Sequence, residues 1–321
     1  MHECQAELIK TTFPWSLVFR VTLSNQGHSI RESLIVKAVD PKGPSDPLEG
    51  ERELHFYRSI YPQLPLPKPS LYFLGVDEAS GWNVIMLEDL AFGYRIPQQP
   101  YQWTPAELQA VLRAYAILHS ASLVPPASDR NWLNPRHENQ LDFDLISGQV
   151  EAVQRAGIWG ELPELPDLIA YARASSQEYA DTAVALLHND TTPTNAALPI
   201  NLDSQPAMLI DWQDAGFGMP EMDLAYLDLQ PFLCAHLIPR SELLSTYWKM
   251  RAEIEGAILS PEERLKRQLH ADLVMALWLT RPASRMASHP YPPGSHPRIH
   301  WDSLFGIIYN RLKDLAHEIN P

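Results

Sequence analysis

Residues 186–198 read LLHNDTTPTNAAL, an apolar run that breaks into His188 and Asp190, passes through small and turn-forming residues, and reaches Asn195. Alone, such a stretch is an ordinary polar loop, because Asp and Asn serve turns far more often than chemistry. Its meaning depends on what the chain sets beside it. The next apolar run lies in AMLIDWQDAGFGMPEMDLAYL (207–227), where a short strand from Ala207 to Ile210 delivers Asp211 at its end, a place where a side chain emerges into a cleft. Two carboxylates and an amide oxygen on adjacent loops are hard oxygen ligands of the kind Mg2+ accepts, its remaining positions going to phosphate and water. That is the equipment of phosphoryl transfer.

Composition is consistent with an enzyme of this kind. At 321 residues and 45% hydrophobic content the chain can build a large core or two smaller ones, so we expect one globular unit of two lobes. A net charge of −14 with no basic stripe argues against a nucleic-acid partner, which would need clustered Lys and Arg to release counterions. An acidic surface either steers cations, such as amines or metal-bound nucleotide, or simply keeps the protein soluble. Cys4 and Cys234 are too few and too far apart for a disulfide framework or a thiolate metal site. The opening MHECQAELIK lacks the pattern of a secretory leader, and no apolar run approaches the roughly 18 residues of a membrane span. The expected location is the cytoplasm, with no membrane partner.

Strands come first and helices last. Leu17–Leu23 and Ser33–Val39 read as a hairpin around Gly27, residues 48–60 carry apolar residues at helical spacing, and Leu71–Leu74 and Asn83–Leu87 read as two further strands. From Thr104 the period changes: Thr104, Pro105 and Glu107 form a helix start, and ELQAVLRAYAILHSAS continues it. Weaker helices follow near 144–157 and 164–182, and residues 240–319 are mostly amphipathic helix interrupted by HPYPPGSHPR (289–298). The arrangement is α+β, with the seam between residues 88 and 93 and lobes expected over 1–89 and 90–321.

HNDTTPTN has the spacing of the kinase catalytic loop, and the IDW of residues 210–212 resembles the metal-binding turn of kinases. LLHNDTTPTN together with LIDWQDAGFGMPEMDLAYL resembles the aminoglycoside phosphotransferase and choline kinase group, small-molecule relatives of the protein kinases. The resemblance covers most of the chain. It implies a bilobal protein-kinase-like fold, with an N-terminal antiparallel sheet carrying one helix and a larger, mainly helical C-terminal lobe. It also implies ATP and Mg2+ as cofactors and a small-molecule alcohol as acceptor. Asp190 would be catalytic, Asn195 and Asp211 would hold metal, and His188 and Asp223 would brace the loop.

Upstream the resemblance implies a nucleotide site. Lys37, in VKAV, takes the place of the phosphate-binding lysine, and Glu53, in EREL, that of its helix partner, with Glu51 as the competing candidate. VIMLEDLAFG resembles the purine-binding hinge, giving Met86, Leu87, Glu88 and Leu90 as backbone contacts. The phosphate-covering loop departs from the pattern: TTFPWSLVF holds no glycine, and Ser16 takes the place of the small polar residue at its tip. That departure leaves a nucleotide-binding pseudokinase as the alternative; a metal-dependent hydrolase would give Lys37 and Glu53 no role. Too few residues separate Asp211 from Asp223 for the segment on which protein kinases lay a peptide, so no protein substrate is expected. Asp214 and Asp228 read as solvated or capping residues. Trp278, Tyr291, Trp301 and Tyr309 read either as lining of an acceptor pocket or as core, and His289, His296 and His300 are too irregular for a metal site. HND is closer in wording to the general and ecdysteroid-kinase-like branches than to resistance enzymes, where HGD is commoner.

Overall fold

The computed structural model describes residues 2–12, 16–25, 31–40, 42, 47–97, 103–123, 141–179, 185–201, 205–229, 238–256, 259–288 and 296–319. Five antiparallel strands build the N-terminal sheet: β1 (His2–Thr12), β2 (Ser16–Asn25), β3 (Arg31–Val39), β4 (Leu71–Val76) and β5 (Asn83–Glu88), in the order β1-β2-β3-β5-β4. The hairpin expected from β-branched patterning is β2–β3; ahead of it lies β1, a full partner to β2 along its length. One face of this sheet turns inward. Lys37 and Ile85 lie on it, and helix α1 (Pro47–Ser59) packs nearby through Leu54, Phe56 and Tyr57, all buried.

The rest of the chain is mainly helical. Helix α2 (Pro105–Ser120) opens with the capping box that its sequence predicts: the Glu107 amide donates to Thr104 Oγ1 at 3.3 Å, and the Thr104 amide to Glu107 Oε2 at 2.8 Å. Its apolar face, including Leu108, Leu112, Tyr115 and Leu118, joins a core that reaches from α1 to Trp212. Helices α3 (Phe143–Arg155) and α4 (Leu165–Glu178) fall close to the ranges read from periodicity. A second core gathers them with α5 (Glu221–Leu229), α7 (Pro261–Trp278), α8 (Thr280–Ser288) and α9 (His296–Ile319), while α6 (Arg240–Glu255) packs on α2.

Short strands set the site between these parts. β6 (Tyr94–Arg95), β8 (Ala196–Pro199) and β9 (Met208–Leu209) form a three-stranded sheet, and β7 (Ala185–Leu187) pairs with β10 (Gly216–Gly218). The two loops singled out in the sequence leave the ends of β7 and β9, and the Ile210 amide donates to the Asn195 carbonyl at 3.0 Å. That bond sets Asn195 beside Asp211. No helix among the described residues is long and apolar enough to cross a membrane.

Candidate active site

Lys37 is the centre of the site. Its Nζ lies 2.6 Å from Glu53 Oε2 and 2.6 Å from Asp211 Oδ1, so one ammonium ties β3, α1 and the turn after β9 together. Burial works against the Lys37 charge, but Asp211 and then Glu53 outweigh it and hold the ammonium above the usual lysine range. Burial also acts to raise Asp211, where Lys37 and then Lys10 override it and keep the carboxylate well below its ordinary value. Glu53 is raised, burial outweighing Lys37. Glu51 is exposed and faces His55 at 3.8 Å, so α1 presents Glu53 and not its neighbour to the lysine.

The loop after β7 is held by its own backbone bonds. Asp223, buried near the start of α5, accepts from the amides of His188 (2.9 Å) and Asn189 (2.8 Å) and from His119 Nε2 (3.2 Å). His188 Nε2–H donates to the Ile210 carbonyl at 3.0 Å, while its Nδ1 accepts from the Asp190 amide at 3.3 Å. With one nitrogen donating and the other accepting, the ring is neutral, and burial lowers its pKa further. His188 therefore ties the loop to the Asp211 turn, as its position in the sequence suggested. Asn189 has φ of 65° and Asp211 has φ of 66°, a left-handed conformation that Asn and Asp tolerate better than most residues. Glycine would meet the same requirement at 189, but the Asn189 side chain also donates to the Asp214 carbonyl at 2.9 Å.

Asp190 sits inside this frame. Its carboxylate accepts from Tyr226 OH at 2.9 Å and from Asn195 Nδ2 at 2.8 Å. Burial, then the charges of Asp214 and Asp211, push it up to about 7. A carboxyl poised there can take up a proton near neutral pH. Asn195 spends its amide nitrogen on Asp190, which leaves its oxygen as the group it can offer a cation. Among the described residues no three His, Cys, Asp or Glu side chains surround one point. One carboxylate and one amide oxygen still fit Mg2+, which takes few protein ligands when phosphate supplies the rest.

A model of the phosphotransferase enzyme family matches residues 15–229. The chain belongs to the phosphotransferase enzyme family. No curated protein matches it. Solved structures of similar fold include a candidate aminoglycoside phosphotransferase of Ralstonia eutropha JMP134, at 17% identity over 97% of this chain and 93% of that one, with a TM-score of 0.63. A microcompartment-associated aminopropanol kinase is 14% identical over 99% and 93%, with a TM-score of 0.62. Spectinomycin phosphotransferase, solved with ADP and spectinomycin, is 12% identical over 98% and 93%, with a TM-score of 0.52. These likenesses show a protein-kinase-like fold.

Within this phosphotransferase family fold, the residues expected to form a hinge lie along and just beyond β5. Met86, Leu87 and Glu88 pair with Val36, Ile35 and Leu34 of β3. The Glu88 carboxylate turns to Ser70, accepting from its amide and hydroxyl at 3.0 Å, and Leu90 is buried against Ala197 and Met208. Ser16 is the first residue of β2, opposite Thr12 and Val39, and its alternation with Val18 puts it on the same face as Lys37. It thus ends a strand instead of forming a tip; Pro14 and Trp15 lie outside the described residues.

Several residues escaped the sequence reading. Asp214 is neither solvated nor a simple cap: it is largely buried, and burial and then Asp211 raise its pKa. Asp228 is ion-paired with Arg240 at 2.8 Å. Asp89 pins the end of β5 to the N-terminal sheet, accepting from Arg20 Nε and Ser33 Oγ at 2.7 Å each. Tyr226, His119 and Lys10 reach the loops from distant parts of the chain, and no local motif announces them. Trp278 lines a cavity of about 280 Å³ with Leu145, Ile146, Gln149, Leu277 and Arg281. Tyr309 instead stacks on Trp159 and donates to the Glu161 carbonyl at 3.0 Å. The side chains of Tyr291, Trp301, His289, His296 and His300 lie outside the described residues.

Proposed function

We propose that this chain transfers the γ-phosphoryl group of ATP, with Mg2+, to a hydroxyl of a small molecule in the cytoplasm. The nucleotide lies between a lobe of residues 1–89 and one of residues 90–321. The observation that carries this reading is the bridge of Lys37 to Glu53 and Asp211 at 2.6 Å each, with Asp190 close enough for the charges of Asp211 and Lys10 to act on it. Purine contacts the backbone of Glu88 and Leu90, at and just beyond the end of β5, while Met86 and Leu87 are enclosed between β3 and β4 beside it, and Ser16 and Lys37 meet the phosphates. Asp211 and Asn195 would hold the metal, which would neutralise phosphate charge there.

Asp190 accepts the hydroxyl proton as the acceptor oxygen bonds to the γ-phosphorus and the bond to the β–γ bridging oxygen breaks, releasing ADP. Tyr226 and Asn195 hold its carboxylate in place, and Asp223 holds the loop. The protein's contribution is orientation and charge compensation in a loose transition state. The 3-10 turn at Trp212–Asp214 and β10 use up the stretch between Asp211 and α5, which supports a small acceptor over a peptide. Aminopropanol and spectinomycin, named for two structural neighbours, make amino alcohols and aminoglycosides the first acceptors to try.

ADP formation with MgATP and a panel of such alcohols tests the assignment. Asp190→Asn should lower turnover about 10²–10⁴-fold and leave nucleotide affinity within a few fold. A fully active variant would remove Asp190 from the mechanism, and tight nucleotide binding without transfer to any alcohol would favour the pseudokinase.

A further inference from the structure

Two lysines, not one, face Asp211. The second is Lys10 on β1, whose Nζ lies 3.3 Å from Asp211 Oδ2. Its orientation follows from an irregularity in the sheet. Leu8 is opposite Phe19, but Lys10 is opposite Val18, so Ile9 is an extra residue that β2 does not match. Such a bulge moves the following side chain to the other face of the strand. In regular register Lys10 would share the outward face with Leu8, which is 52% exposed. With the bulge it shares the inward face with Val18, Lys37 and Ile85, which are opposite one another across β2, β3 and β5. A bulge thus places a second ammonium in the row of the phosphate-binding lysine, on the strand that runs into residues 13–15, which hold no glycine. Its charge also reaches Asp190, opposing the rise of that carboxyl.

We propose that Lys10 is a second phosphate-binding lysine, which exchanges Asp211 for oxygens of the nucleotide's phosphate chain when nucleotide enters. The assignment rests on the phosphotransferase reading above. Its physical basis is compensation: glycine-rich loops hold phosphate by close backbone approach, and a turn without glycine leaves charge for a side chain to supply. The exchange is feasible because the Lys10 side chain is 51% exposed and its contact with Asp211 is long, so solvent screens the bond to be broken. Lys37, buried and doubly paired, stays as the fixed member of the pair.

The test is calorimetric titration of the full-length protein with MgATP, MgADP and adenosine, using wild type, Lys10→Met and Lys10→Arg. We expect Lys10→Met to weaken MgATP binding about tenfold, in line with loss of one charge-assisted hydrogen bond, to leave adenosine affinity unchanged, and Lys10→Arg to recover most of the loss. Melting temperatures of the free proteins should agree within a few degrees. Equal MgATP affinity in wild type and Lys10→Met, or an equal loss for adenosine, overturns the assignment and leaves the phosphotransferase reading intact. Wild type that binds no MgATP overturns both.

Discussion

In the proposed reaction the chemistry turns on Asp190, and the environment of this residue makes a prediction about pH. Burial, Asp214 and Asp211 raise the carboxyl to about 7 against the pull of Tyr226 and Lys10. The base must be ionised to accept a proton, so activity is lost as pH falls below that value and levels off above it. The profile of kcat/KM for the acceptor at low nucleotide, which reads the free protein, should therefore rise up to about pH 7. A kcat/KM that is flat between pH 5 and 8 would mean that Asp190 does not titrate in the reaction. Residues at this scale were only partly legible. His188, Asp190, Asn195 and Asp211 stand in two short motifs whose spacing can be read directly, whereas Tyr226 and Asp214 matter through what they face. Lys10 is the extreme case: its use depends on a bulge at Ile9, and a register shift has no signature in one strand's composition.

The elements owe their alignment to contacts that cross between lobes. Phe56 of α1 stacks on Trp212 of the turn after β9, ring centroids 4.5 Å apart and 11° from parallel. Trp212 is wholly buried, its Nε1–H donates to the Leu209 carbonyl at 3.1 Å, and its ring leans on His188 at 4.6 Å. One side chain therefore locks α1, which carries Glu53, to both loops of the site. Trp212→Ala should cost about 3–5 kcal/mol of stability in urea unfolding, where a loss below about 1 kcal/mol would show that α1 is held by other contacts. Strand and helix order was readable because periodicity changes at Thr104, where a capping box also marks the start of α2. The eleven-residue β1 was harder: MHECQAELIK mixes charged and apolar residues, and it becomes a strand by pairing with β2 along its length. Local propensity does not anticipate that kind of tertiary pairing.

At the scale of the whole molecule, one buried ammonium bridges an N-terminal sheet and a helical part, and the site lies where they meet. Residues far apart in sequence therefore act together: neither loop means much until Lys37 and Glu53 converge on Asp211. The net charge of −14 adds a field that favours cationic partners over anionic ones, so the proposed nucleotide would depend on metal and on Lys37 and Lys10 for its hold. In the proposed enzyme Asp211 couples nucleotide to the fold through magnesium. Thermal unfolding of wild type and Asp211→Ala, each with and without saturating MgATP, tests it without knowledge of the acceptor. Ligand at a hundredfold excess over its dissociation constant stabilises by about 2.7 kcal/mol, roughly 4 °C in a chain of 321 residues. We predict that shift in wild type and little of it in Asp211→Ala; no shift in wild type, or an equal shift in both, would contradict the account.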